Sequence, residues 1–471
     1  MGGGDMARRK ILPNALDIDF RGGLTDEVTP HAGVALLVEL GRRSRVMEAA
    51  EKHLPAKKNP KGLGQGQMVE SFVLLSALGG ECVDDFDNLR RDRGLAAILG
   101  YDLPAASTGR QWLERSFHEE EVLSQRPLQG SFIPEESAGL AALGAVRDHS
   151  VRAYVAALKP EGEVTLDVDA HLVESSKREA LVTYEGFRGY QPMLVVWAET
   201  HLVVADEFRD GNVPASKDIA RMVDEGYASL PFREEGWRVR VRSDSAAYEA
   251  EVLDHWAGRG WKFAVSADMS KQLRAEIDKL LPQEWQLWEV EEGGFVREWA
   301  EVPFVPSREG EKKDTKPYRY LAIRICSPQG VLFNDGTKVK CFAVVTNDWE
   351  MEGRELLAWH RGKAGTVEHV NRVIKDELAG GVYPSGKFGA NAAWLRLQVL
   401  THNLLELLKA TALDQKFRRA RPKRLRFAVF TQFGRVVHHA RQSFIRLCTR
   451  VLEGLLRPGR RGLLLPTWPA P

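Results

Sequence analysis

From about Pro30 to Phe117 the apolar residues recur at helical spacing, first Val34, Leu36, Leu37 and Leu40, then Met68, Val69, Phe72, Val73, Leu75 and Leu78. That period predicts amphipathic helices, and residues 1–150 are expected to form a helical N-terminal region. Within it, Ser107-Thr108 followed by Arg110, Gln111, Trp112 and Arg115 predicts an N-capped short helix of the kind that enters a DNA groove. Around Val164 the pattern changes to short β-branched runs: Val164 to Val173, Pro192 to Thr200, Leu202 to Phe208, Val239 to Ser243 and Phe263 to Ser266. Helical patterns over Lys217 to Tyr227 and Tyr248 to Trp256 separate the later runs. Three meandering strands followed by βαβ crossovers are therefore expected.

That order is the one used by ribonuclease H-like folds. The fold class expected is α/β, a ribonuclease H-like mixed sheet with a mainly β insertion, plus helical N-terminal and C-terminal regions. The first part of this catalytic core takes residues 151–266. The insertion, 267–347, is rich in Trp, Phe, Tyr, Gly and Lys, with strand-like pieces at Trp285 to Val290, Arg319 to Ile325 and Val339 to Thr346. Helix returns over 348–410, interrupted by turn signals at Gly380-Gly381 and Pro384 to Gly386. Residues 411–471 form a basic tail.

Composition adds a partner. A chain of 471 residues with 44% hydrophobic content is globular and long enough for several domains. Its 66 Lys and Arg nearly balance 65 Asp and Glu, but the balance is uneven along the chain. Between Gln415 and Arg461 lie Lys416, Arg418, Arg419, Arg421, Lys423, Arg424, Arg426, Arg435, Arg441, Arg446, Arg450, Arg457, Arg460 and Arg461 against the single acid Glu453, interleaved with Phe417, Phe427, Phe430, Phe433 and Phe444. A solvated basic helix is the plainer reading, yet phosphate contacts account better for so lopsided a segment. Cys82, Cys326, Cys341 and Cys448 form no CxxC pair, which argues against structural zinc and a disulfide framework. No apolar run reaches membrane-spanning length and no signal-peptide core is visible, so a cytoplasmic, nucleoid-associated protein is expected, without a membrane partner.

Three acidic positions carry candidate chemistry. Asp167 and Asp169, two apart on one strand, project to the same face. Burying a bare carboxylate there is costly, and a divalent cation is one partner that offsets it. Asp244 ends the run Val239 to Ser243, at the carboxyl end of a strand, where ligands of open α/β sheets bind. Glu368 opens a helix on which Arg372 and Lys375 share its face. One acid at a strand end is more often a cap or an ion-pair partner, but three in this order are harder to dismiss. Carboxylates holding two Mg²⁺, for which Mn²⁺ can substitute, suit in-line cleavage of a phosphodiester. Without metal their like charges should couple.

The chain resembles the DDE transposases of bacterial insertion sequences, most closely the thirteen-eighty group. The residues carrying the resemblance are Thr165 to Ala170, Gly186 to Pro192, Arg209 to Asn212, Arg242 to Ser245, Val345 to Asn347, Glu368 to Lys375, Phe388 to Asn391 and His402 to Leu404. It extends forward to Asp84-Asp85-Phe86-Asp87 and back to the basic tail, so it covers nearly the whole chain. It implies a catalytic, metal-holding triad of Asp169, Asp244 and Glu368, with Asp167 a rival or additional metal ligand and Glu377 a rival to Glu368. Lys375 matches the lysine of the family's Tyr-Arg-Glu-Lys signature. The arginine and tyrosine positions hold Ala364 and Arg361, for which Trp359, Arg361 or Lys363 can substitute, and His171 stands where relatives often have threonine. DNA contacts are expected from Arg110, Arg361, Lys363, Arg372, Lys375, Arg418, Arg419, Arg421, Lys423 and Arg424. The implied activity is cleavage of element ends bearing terminal inverted repeats, then transfer of the freed 3′-hydroxyls to target DNA by a homodimer. A DNA-binding protein without catalysis and a two-carboxylate glycoside hydrolase are the rival classes; the basic segment speaks against the second.

Overall fold

In a computed structural model of the chain, residues 28–448 are described apart from 58–60, 128, 232–236, 307–317, 329–330 and 440–441. Arg441, Arg450, Arg457, Arg460 and Arg461 of the expected basic tail lie outside the described residues. Five strands make the core: β1 (Glu163–Ala170), β2 (Met193–Trp197), β3 (Leu202–Glu207), β4 (Arg238–Ser243) and β5 (Lys262–Ala267). Four more follow: β6 (Gln286–Val290), β7 (Val296–Val302), β8 (Arg319–Cys326) and β9 (Val339–Thr346). They form one nine-stranded sheet in the order β6-β7-β8-β9-β5-β4-β1-β2-β3. β1 pairs antiparallel with β2 and parallel with β4, and β4 pairs parallel with β5, the expected ribonuclease H-like arrangement. The parallel pairs are reached by crossover helices.

The insertion is a continuation of that sheet rather than a body beside it. β9 returns antiparallel along β5, with Val345 opposite Val265. Asn347 closes the loop by accepting from the Phe263 amide at 3.0 Å and donating to the Trp261 carbonyl at 2.8 Å. The helix Gly353–Arg361 then docks on Trp299 of β7, where a Cβ on Gly353 would lie 2.2 Å from the indole ring. A small three-stranded sheet within residues 173–190 is an element that the alternation pattern did not predict.

Helices pack on the sheet as one continuous core running from Val34 to Phe430. At its centre is Phe388–Thr411, buried along nearly its whole length, as an all-round apolar helix must be. Phe72 of the helix Gln65–Ala77 stacks on Trp112 and meets Trp394 edge-on, which joins the N-terminal helices directly to this core. The helix expected after Ser107-Thr108 begins earlier, at Ala106, and neither hydroxyl caps it. Asp87 instead accepts from the Ala106 amide at 3.2 Å. Among the described residues no helix is long and apolar enough to cross a membrane.

The described part of the basic segment packs against the body. Arg426 donates to the carbonyls of Ala77, Ser76 and Glu377, and the strand Gly434–His439 pairs with Val28–Thr29.

A buried polar hub fastens the layers. Arg396 donates to Asp206 of β3 at 2.8 Å, to the Leu140 carbonyl at 2.7 Å and to Glu136 at 2.6 Å, while Arg147 donates to the other Asp206 oxygen at 2.7 Å. Burial works against the Asp206 charge, yet Arg396 and Arg147 hold its pKa below the usual carboxylate value. Arg396→Met leaves Asp206 Oδ2 and the buried carbonyls of Leu140 and Asp206 without their donor, and is expected to lower the unfolding free energy by about 3–5 kcal/mol in urea titrations. A loss below about 1 kcal/mol, the scale of an exposed ion pair, would contradict the hub's role.

Candidate active site

Strand alternation sends Asp167 and Asp169 to one face of β1, and the sheet register sets Asp167 directly beside Arg242 of β4. Arg242 grips Asp167 with two hydrogen bonds, Nε to Oδ1 at 2.6 Å and Nη2 to Oδ2 at 2.7 Å. Both side chains are almost fully buried. The Thr366 hydroxyl donates to the same Asp167 carboxylate, and Arg242 Nη1 donates to the Trp359 carbonyl. Gly362 permits this approach, because a Cβ there would lie 2.8 Å from Nη1. The Arg242 guanidinium also lies over the Trp359 ring, 5.2 Å from its centroid.

Each clamp residue stands two positions before one of the three acids. Asp169 follows Asp167, Asp244 follows Arg242, and Glu368 follows Thr366. The clamp thus draws strand β1, the end of β4 and the first turn of the helix Val367–Glu377 to one place. Asp244 caps the turn Ser245–Ala247, accepting from the Ala246 amide at 3.1 Å. His360 fixes the same strand end through Nε2 and the Ser243 carbonyl at 3.1 Å. Burial pushes the His360 pKa down to about 4, so the ring is neutral at physiological pH and Nε2–H donates. Asp169 accepts from the Asn371 side-chain amide at 2.9 Å.

An ammonium sits among the acids. Lys363, nearly buried, donates to Glu368 at 3.1 Å and lies 3.8 Å from Asp169. Burial opposes its charge, but Asp169, Glu368 and Asp244 outweigh that and raise its pKa. Burial, then the charges of Asp244 and Glu368, push the Asp169 pKa up to about 6, although Lys363 and Asn371 pull the other way. Asp169 therefore feels the charges of both other acids.

No three acidic, histidine or cysteine side chains close into a ready-made metal site among the described residues. The chemistry nevertheless fits a hard divalent cation, since every donor is a carboxylate oxygen and a cation already bridges two of them. Asp167 is engaged at both oxygens, Oδ1 by Arg242 and Oδ2 by Arg242 and Thr366. Glu377 lies at the far end of the same helix, buried and paired with Arg421.

The cations expected at DNA divide in two. Lys375 is exposed and reaches the Leu172 carbonyl at 3.2 Å, beside the end of β1, and Arg372 is exposed on the same helix. Arg418, Arg419, Lys423 and Arg424 are exposed as well. Arg361 and Arg421 are exposed too but ion-paired, Arg361 with Glu289 and Glu291 of the insertion and Arg421 with Glu377. Arg110 pairs with Asp84 at 2.9 Å. Arg242, Thr366 and Asn371 were missed as site residues; the signal for Arg242 was a strand whose arginines alternate with valines, which demands a buried counter-charge.

The family model described as "Transposase DDE domain group 1" matches residues 10–456. Among solved structures, the chain is similar to the piggyBac transposase synaptic complex with hairpin DNA, determined by cryo-EM, at TM-score 0.42 and 9% identity, covering 81% of this chain and 75% of that chain. No curated protein matches it.

The raised Asp169 pKa fixes how the metal-free protein responds to pH. A carboxyl that gains affinity for its proton on folding favours the folded state at low pH, and this contribution is lost as pH rises from the ordinary aspartate value of 3.8 through about 6. Asp169→Asn, which keeps the shape without the charge, is expected to melt higher than the wild type in chelator at about pH 7.5, with the gain fading below about pH 4. A variant that melts lower at neutral pH would contradict the acid crowding.

Proposed function

The chain belongs to the DDE transposase family, and from that premise we propose that it cleaves the ends of a bacterial insertion sequence and transfers the freed 3′-hydroxyls to target DNA. The observation that carries this reading is the clamp of Asp167, Arg242 and Thr366, which gathers Asp169, Asp244 and Glu368. In this reading the three acids hold two Mg²⁺ ions, or Mn²⁺ in their place. The bound cations supply activation of the attacking oxygen and stabilisation of the departing one.

The protein's own groups do the rest. Asn371 holds Asp169 through one oxygen, leaving the other turned toward Lys363. The turn capped by Asp244 and the neutral His360 keep the end of β4 still. Lys375 and Arg372 contact phosphate of the reacting strand as charges that neither give nor take a proton. Arg418, Arg419, Lys423 and Arg424 contact backbone phosphates, so affinity falls steeply with salt. Pairing of two element ends calls for two protomers on DNA, hence a homodimer.

The test is cleavage of labelled duplex DNA carrying the element's terminal repeats, with Mg²⁺ or with EDTA. Nicking at the repeat boundary in Mg²⁺ is expected, with Asp244→Asn slowing it by about a thousandfold or more while DNA binding persists. Binding without cutting in every condition would replace this reading with that of a DNA-binding protein derived from a transposase.

A further inference from the structure

We infer that Lys363 is an internal counter-ion, holding the place of a divalent cation between Asp169 and Glu368 until a metal displaces it. The inference rests on the metal-site reading above and goes beyond it by assigning a residue that competes with the metal.

The position is the first argument. The Lys363 ammonium lies 3.1 Å from Glu368 and 3.8 Å from Asp169, so it bridges acids from two separate elements as a metal ion would. A divalent cation held by the same oxygens would be pressed against this ammonium, and like charges at such separations repel strongly in a partly buried site. Only one of the two can stay.

The local chain is built to let the side chain leave while its backbone remains. Lys363 lies in the single turn Gly362–Gly365 between two helices. The turn is pinned on both sides by the clamp, at the Trp359 carbonyl and the Thr366 hydroxyl. Displacing the ammonium therefore breaks an ion pair without unfolding the turn. An open cavity of about 350 Å³ lies beside it, lined mainly by apolar side chains such as Ile323, Phe342 and Leu357, with Arg297 and Arg361, together with Lys363 and Glu368 themselves. A lysine's flexible stem can lie along this apolar lining while its ammonium swings out to water.

The device has a reason in the charges. Three carboxylates gathered by the clamp repel one another without a cation, and an ammonium on a flexible stem relieves that repulsion. A competitor inside the site lowers the apparent metal affinity by the fraction of time in which it leaves the site open.

The test is Mn²⁺ binding to the full chain without DNA, followed by the loss of the free-ion paramagnetic resonance signal, so that catalysis plays no part. Lys363→Met and Lys363→Gln are compared with the wild type, with Lys363→Arg and with Asp244→Asn. Both neutral variants are expected to bind Mn²⁺ about tenfold or more tightly, while their metal-free forms melt lower and gain more on adding Mn²⁺. Lys363→Arg, which keeps the charge, should stay near the wild type. Unchanged or weaker binding by both neutral variants, in a protein whose Mn²⁺ binding Asp244→Asn abolishes, would overturn the role of Lys363 and leave the metal site standing. Absence of Mn²⁺ binding in the wild type and in both neutral variants would overturn the metal site and this inference with it.

Discussion

The two-pronged ion pair between Arg242 and Asp167 is the contact on which the site depends. It joins strands β1 and β4 at neighbouring register positions and then reaches across to the helix beyond the insertion, through Thr366 and the Trp359 carbonyl. A buried ion pair is weak evidence for stability, because desolvation offsets most of its attraction. What it supplies here is position. A guanidinium has a fixed planar fork, and with a carboxylate, a hydroxyl and a carbonyl all bound it tolerates little displacement of any of the three elements. Each of those elements carries an acid two residues further on.

The clamp also explains how a long insertion can separate the second acid from the third. Strands β6 to β9 extend the sheet from β5 and return the chain to that same edge. Trp299 receives the following helix at Gly353, and Glu289 and Glu291 hold Arg361 at its end. Beyond the insertion the chain brings Trp359 and Thr366 to Arg242 and Asp167, and Lys363 to Glu368. Its exposed apolar residues, Leu287, Val290 and Phe342 among them, lie on this extension.

Much of this architecture was legible from the sequence, because the strands of the core are short β-branched runs with helical patterns between the later ones. Asp244 and Glu368 were legible as an acid at a strand end and an acid opening a helix. The difference between Asp167 and Asp169 was not, since alternation sends both to one face. Register separates them: Asp167 falls beside Arg242, and Asp169 lies two residues beyond the last pair of β1 with β4. Lys363 was one of three candidates for a missing signature position, and its place among the acids depends on a turn between helices that has no periodicity to read. The basic segment was visible as charge, but charge counting cannot distinguish Arg419, exposed to solvent, from Arg426, which donates to three carbonyls inside the body.

By this account the clamp assembles Asp169, Asp244 and Glu368 into one cation-holding centre. A crystal of the protein with Mn²⁺, measured at the manganese absorption edge, tests it most directly. The account predicts anomalous peaks within coordination distance of oxygens from all three acids, with Asp167 still gripped by Arg242. Manganese bound through Asp167, or peaks only at acids remote from the clamp, would contradict it.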